Sequence, residues 1–297
     1  AGTFTLKDLA VSWMSHATGI TTTSSTDNLN NTNWTFAACT NLVSGRIFTD
    51  EGTTGLDCTT SRTVALRING AGTHTAECSN SPSNGSYSIT GLTLAAGTVT
   101  VFLNDETEDA VTVTRIAGAG DFTGLDLYQN RVIVRHEDAG PLTNANLDQY
   151  DSGQDLDVPF TVTTSNLTVA DGAKLLVWTG KTFTPGGTVA TDPSASAASV
   201  DGDLLIQATA TLSMETNALS VGGDLINSGT FSESGAPHVT TFTATATGHT
   251  IDNGTGDLDA VTFNGTGGGW SFSDAANTLA GDLTMTAGTF SGTTSLT

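Results

Sequence analysis

Gly223-Asp224-Leu225-Ile226-Asn227-Ser228-Gly229-Thr230-Phe231 opens on Gly-Asp-Leu, runs through a short apolar-polar alternation and closes on Gly-Thr-Phe. The phrase returns from Gly281-Asp282-Leu283 to Gly288-Thr289-Phe290, and its opening alone stands at Gly202-Asp203-Leu204. A strand and a glycine turn restated along a chain predict coils that stack, because one such coil has too little apolar surface to bury by itself. Apolar positions then point inward, threonine and aspartate outward, and glycine takes corners that need positive φ. Asp203 and Asp224 are 21 residues apart, and the 58 residues from Asp224 to Asp282 leave room for two or three further coils. Phe242, Ile251, Leu258, Val261, Phe263, Trp270 and Phe272 are the expected inward residues of those coils. Antiparallel hairpins of a second sandwich would give a similar alternation, and the repeated phrase favours a parallel β-helix. Ala1-Gly2-Thr3-Phe4 repeats Ala287-Gly288-Thr289-Phe290. That echo predicts a segment of a longer repetitive polymer in which the coils near Phe4 and Phe290 continue one another.

Composition agrees with a β protein. The chain is rich in threonine, whose branched side chain suits a pleated surface, and poor in the residues that build exposed helices. Thirty acidic residues against nine basic ones give a net charge of −21, and no Lys or Arg occurs from Thr182 to Thr297. Such a surface repels nucleic acid and anionic membranes, attracts cations and keeps the chain soluble. No stretch is apolar enough for a membrane-spanning helix. The three cysteines, Cys39, Cys58 and Cys78, do not have the paired spacing of structural zinc sites. In an exported protein one disulfide and one free thiol is the simplest state, and Cys58–Cys78 is the expected pair because the two flank a strand-like run.

Four regions follow. Residues 1–40 form an N-terminal β segment. In 41–116, Val64, Leu66 and Ile68 alternate up to the tight turn Asn69-Gly70, a second turn stands at Asn84-Gly85, and strands follow at Val99 to Leu103 and Val111 to Val113. Short strands with such turns predict a β-sandwich. Residues 117–165 form a β-rich bridge with a helical turn between Ala145 and Tyr150, and 166–297 hold the parallel β-helix.

The runs Gly85-Ser86-Tyr87-Ser88-Ile89-Thr90-Gly91-Leu92 and Ala96-Gly97-Thr98-Val99-Thr100-Val101-Phe102-Leu103 resemble an Ig-like, carboxypeptidase-regulatory-type sandwich. The segment Leu127 to Glu137 is similar to one that accompanies such domains in very large, repeat-rich surface proteins of uncultured bacteria, and Trp178 to Gly187 is similar to the segment that follows it there. Thr262 to Phe272 and Leu279 to Phe290 resemble their β-helix repeats. The resemblance implies an all-β chain, an Ig-like sandwich followed by a parallel β-helix (solenoid), secreted and used as a rod at a surface or in a filament.

Sites are sparse. Asp148, Asp151, Asp155 and Asp157 form the densest acidic run and are the candidate calcium ligands, since calcium takes six to eight oxygens. Their spacing is not that of an EF-hand, and a solvated loop is the plainer alternative. Asp105, Glu106, Glu108 and Asp109 read as a polar hairpin tip. The Gly-Asp aspartates are expected to cap corners through bonds to their own backbone. Stacked carboxylates such as Asp203 and Asp224 would suit polysaccharide hydrolysis. However, His16, His74, His136, His238 and His249 are scattered and the region lacks bases, so the chain is expected not to be an enzyme. The leading expectation is a structural subunit or segment of an extracellular fibre, surface layer or giant adhesin. Its partners would be copies of itself or flanking repeats of the same polypeptide, joined end to end through Phe4 and Phe290, with no cofactor other than calcium. The rival is a monomeric carbohydrate-binding or cell-adhesion module that holds cell-surface glycans on Trp270 or Tyr128.

Overall fold

The computed structural model describes residues 10–11, 15–22, 26–27, 32–36, 40–233, 238–254, 256, 258–273, 276–277, 279–291 and 295–296. The chain is predominantly β, and among the described residues the α-helix is the single turn Asn144–Leu147. Ala10–Val11 pairs in parallel with Thr26–Asp27, and Ser15–Thr22 with Thr32–Phe36. Phe4 and Cys39 lie outside the described residues.

Residues 41–116 form two sheets around one core. Ala71–Glu77, Thr63–Ile68, Gly97–Leu103 and Val111–Ile116 pair antiparallel in that order. The facing sheet pairs Ser86–Leu92 antiparallel with Asn41–Phe48, which takes Leu127–Tyr128 in parallel on its other edge. Val43, Ile47, Val64, Leu66, Val99, Val101 and Ile89 fill the space between. Asn69 (φ 51°) and Gly70 (φ 71°) both take the left-handed conformation that a two-residue hairpin requires. Cys58 and Cys78 are joined by a disulfide with a Cα–Cα separation of 5.8 Å.

The first of these sheets continues beyond residue 116. Val111–Arg115 pairs in parallel with Val132–His136, and Arg131–Val134 pairs in parallel with Lys174–Val177. Alternate residues of the seam strands therefore serve two cores. Val99 and Val101 face the antiparallel module, while Phe102, Val111 and Val113 join the core of the region that follows.

From residue 131 the chain turns in stacked coils that build three parallel ladders. Ladder A runs through Arg131–His136, Lys174–Val177, Leu204–Ile206, Leu225–Asn227, Thr247–Asp252 and the end of the long strand Ala260–Phe272. Ladder B runs through Asn166–Val169, Val189–Thr191, Leu219–Val221, Val239–Phe242, the start of Ala260–Phe272 and the start of Leu283–Phe290. Ladder C joins Thr182–Phe183, Thr211–Glu215 and Thr230–Glu233. At its start ladder B is closed by an antiparallel strand, Phe160–Thr163.

Parallel register puts like above like. Val132, Leu175, Leu204, Leu225, Ile251 and Phe272 form one buried column of ladder A. Each such side chain contributes roughly 2 kcal/mol by leaving water. The steps along the column are 43 residues (132 to 175), 29 (175 to 204), 21 (204 to 225), 26 (225 to 251) and 21 (251 to 272). Unequal loops are tolerated because only the ladder positions must match. Phe242, Ile251, Leu258, Val261, Phe263, Trp270 and Phe272 are all buried.

The repeated phrase does not mark equivalent positions. Leu204 and Leu225 pair with each other on ladder A, but Leu283 pairs with Val261 on ladder B. Phe231 lies on ladder C, whereas Phe290 lies opposite Trp270 at the ladder A end of its strand. The phrase is thus a local recipe for a corner followed by a strand, usable at more than one corner of a coil.

Candidate functional site

One group of charged residues gathers at the entry corner of ladder A, just before the inward column. Arg131, Lys174, Asp203 and Asp224 stand on successive coils, each one position before Val132, Leu175, Leu204 and Leu225. Glu51, from the antiparallel module, accepts hydrogen bonds from Arg131 at 2.7 Å and Lys174 at 3.2 Å. Lys174 Nζ also lies 3.3 Å from Asp203 Oδ2. Burial works against the Glu51 carboxylate, but the two cations outweigh it and hold its pKa below the ordinary value. For Asp203 burial dominates and raises the pKa, despite the Asp224 backbone N–H and the Lys174 ammonium.

Asp203 and Asp224 bond forward to the next coil, not to their own backbone. Asp203 Oδ1 accepts the Asp224 N–H at 2.8 Å, and Asp224 Oδ1 accepts the Thr250 N–H at 3.0 Å. Asp224 also accepts the Thr250 hydroxyl at 3.1 Å and lies 2.9 Å from His249 Nδ1. Burial opposes ionisation of Asp224, yet these donors prevail and lower its pKa. Gly202, at φ 73°, makes the turn before Asp203, where a Cβ would lie 2.2 Å from the Asp192 carbonyl. One ligand atom from each of Asp203, Asp224 and His249 lies within 4.8 Å of the other two, and the same holds for Asp171, Asp192 and Asp201.

Asp148, Asp151, Asp155 and Asp157 form neither of these groups. Asp148 caps the short helix and is exposed. Asp151 is buried and accepts the N–H groups of Gly153 and Val162, at 2.8 and 2.7 Å. Asp155 accepts the Tyr150 hydroxyl at 2.8 Å and lies 3.7 Å from Arg67, and Asp157 accepts the Asp105 N–H. These carboxylates organise the loop that precedes Phe160–Thr163. In the other acidic stretch, Glu106 accepts the Thr63 N–H at 2.8 Å and pairs with Arg62.

Trp270 is 1% exposed, with ring centroids 5.1 Å from Phe263 and 6.4 Å from Phe242. It therefore presents no face to a glycan. Tyr128 is also buried, against Phe48 and Trp178, and borders a cavity of about 320 Å³ that Trp178, Thr179 and Gln207 line. Phe290 is half-buried against Phe263 and Phe272. Beside it, Leu283 and Met285 are 44% and 46% exposed, although their register partners Val261 and Phe263 are fully buried.

The charged corner escapes sequence reading because its members come from residues 51, 131, 174, 203, 224 and 249. Only the Asp203–Asp224 step carries a visible signal. His249 is positioned by a register shift between Thr247 and His249, with Gly248 at φ 99°. A Gly-His pair in a strand is the one weak cue to such a bulge.

Burial also couples folding to acid. It raises the pKa of Asp126, more than its Arg46 and Arg135 neighbours lower it, and it raises those of Asp109 and Asp157, which in addition repel one another or nearby acids. Native aspartates with raised pKa bind protons that the unfolded chain releases. The stability they add is present below the ordinary value of 3.8 and is lost as pH rises through their native values. In thermal melts, Asp126→Asn is expected to gain more over the wild-type chain at about pH 7 than at about pH 4, because the buried carboxylate is replaced by a neutral group. A difference between variant and wild type that does not change over that range would contradict this assignment.

Among the described residues no helix is long and apolar enough to cross a membrane. No family model, no curated protein and no solved structure matches the chain.

Proposed function

We propose that the chain is a structural segment of an extracellular fibre, surface layer or giant adhesin. In this reading residues 41–116 are an Ig-like β-sandwich, the coils are a parallel β-helix, and the chain is architectural, not an enzyme. The stack is extended at the strand Leu283–Phe290 by a copy of the chain or by flanking repeats of the same polypeptide. The observation that carries the proposal is the exposure of Leu283 and Met285 in a column whose preceding members are dry. Among the described residues that strand pairs only with Ala260–Phe272, so its other edge offers unpaired backbone groups. No Lys guards this edge, because none occurs after Lys181. The Cys58–Cys78 disulfide supports export, since such bonds persist in oxidising compartments.

Sedimentation velocity and negative-stain microscopy over a concentration series test the proposal. The wild-type chain is expected to form elongated end-to-end species. The double variant Leu283→Lys/Met285→Lys should remain a folded monomer. A wild-type chain that stays a monodisperse monomer at every concentration would overturn self-association.

A further inference from the structure

The side chains of Lys174 and Asp203 are each 7% exposed, and Nζ lies 3.3 Å from Oδ2. The ladder fixes their approach. The two residues precede the register pair Leu175 and Leu204, and the Leu175 N–H donates to the Asp203 carbonyl at 2.9 Å. Holding two reacting groups in this way removes most of the entropic cost of bringing them together. Other groups complete the surroundings. Glu51 Oε1 lies 3.2 Å from Lys174 Nζ and is held by Arg131 at 2.7 Å. The Asp224 N–H donates to Asp203 Oδ1, the carboxylate oxygen that Lys174 does not take, at 2.8 Å. An amine, a carboxyl group, a base within reach of the amine protons and an N–H aimed at the second carboxyl oxygen are the parts of an acyl transfer.

We propose that Lys174 and Asp203 condense into an intramolecular amide (isopeptide) bond, a covalent rung between two successive coils of ladder A. One proton first passes from the ammonium to the carboxylate, leaving an amine and a carboxylic acid. In a buried pair that transfer removes two charges and costs less than in water. Burial raises the Asp203 pKa, which favours the acid. The Nζ lone pair then forms the N–C bond at Cγ, and negative charge gathers on Oδ1, where the Asp224 N–H meets it. Glu51 takes a proton from Nζ and gives it to Oδ2. The Cγ–Oδ2 bond breaks and that oxygen leaves as water. Ammonium and carboxylate thus become amide and water without an oxidant or co-reactant, and Glu51 ends as it began, on Arg131. The ion pair is the precursor, and replacing Lys174 strands Asp203 in either state. The bond lies within one chain and does not depend on end-to-end assembly.

Mass spectrometry of the full chain, reduced and denatured after folding, is expected to give a mass one water (about 18 Da) below that of the sequence. Trypsin should then fail to cut after Lys174 and should leave peptides 136–181 and 182–297 joined, because an acylated lysine is no longer a cleavage site. A succinimide at Asp201-Gly202 loses the same mass but does not join these peptides. Lys174→Arg should keep the full mass. Glu51→Gln should slow the loss of water after refolding by about a hundredfold, with circular dichroism showing that each variant folds. A folded wild-type chain of full mass overturns the proposal. So does a water loss that leaves the two peptides separate, or a folded Glu51→Gln chain that condenses at the wild-type rate.

Discussion

Phe263→Ala is expected to cost about 3–5 kcal/mol of stability, the largest effect of any single substitution proposed for the coils. The Phe263 ring is fully buried, with centroids 5.4 Å from Phe242, 5.1 Å from Trp270 and 5.4 Å from Phe290. Removing it leaves a void bounded by Phe242 and Phe290 on the neighbouring strands and by Trp270 farther along the same strand, and the backbone ladders prevent collapse. In a stacked architecture each coil is stabilised by its neighbours, so the loss concentrates in the coils from Val239 onward. Denaturant melts should show a lower midpoint, and hydrogen exchange should accelerate in Ala260–Phe272 before it does in Lys174–Val177. A loss below about 1 kcal/mol would show that this core is loosely packed.

Lys174→Met is expected to cost about 3 kcal/mol at neutral pH. Lys174 is buried between Glu51 and Asp203, so its ammonium ties the antiparallel module to the coils. Removing it strands a buried Asp203 carboxylate, while Glu51 keeps Arg131 and some contact with water. The pH dependence distinguishes a charge effect from lost packing. Burial already raises the Asp203 pKa, and loss of Lys174 raises it further. A protonated Asp203 needs no cation, so the gap between variant and wild type should be widest at neutral pH. It should narrow as pH falls towards 3.8, the ordinary aspartate value. Denaturant titrations at several pH values check this, and a gap independent of pH would assign the loss to packing alone.

Much of the local structure was legible in the residues. Asn69-Gly70 signals its hairpin because few other pairs tolerate two successive positive φ angles. The inward residues from Phe242 to Phe272 were readable because each stands in an alternation bounded by glycine or threonine. The candidate site was barely legible. The acidic run from Asp148 to Asp157 is conspicuous in the sequence, yet Asp151 and Asp155 spend their oxygens on local backbone, Tyr150 and Arg67. The tighter group joins Asp203 and Asp224 to His249, a residue with no motif around it.

By itself the sequence determined that this is a predominantly β protein, rich in glycine turns and strongly acidic. Those properties follow from composition and from an alternation that each short strand carries alone. Tertiary structure decided which strand lies above which, and so which phrases are equivalent. Two near-identical phrases, at Gly223 and Gly281, enter different ladders because loops of unequal length carry the chain to different corners before each one. Tertiary structure also decided that the sheet of the antiparallel module runs on into the coils, through the parallel pairing of Val111–Arg115 with Val132–His136. A strand's hydrophobic pattern records how many of its faces are buried. It does not record which neighbour buries them, and that choice placed Glu51 beside Lys174 and His249 beside Asp224.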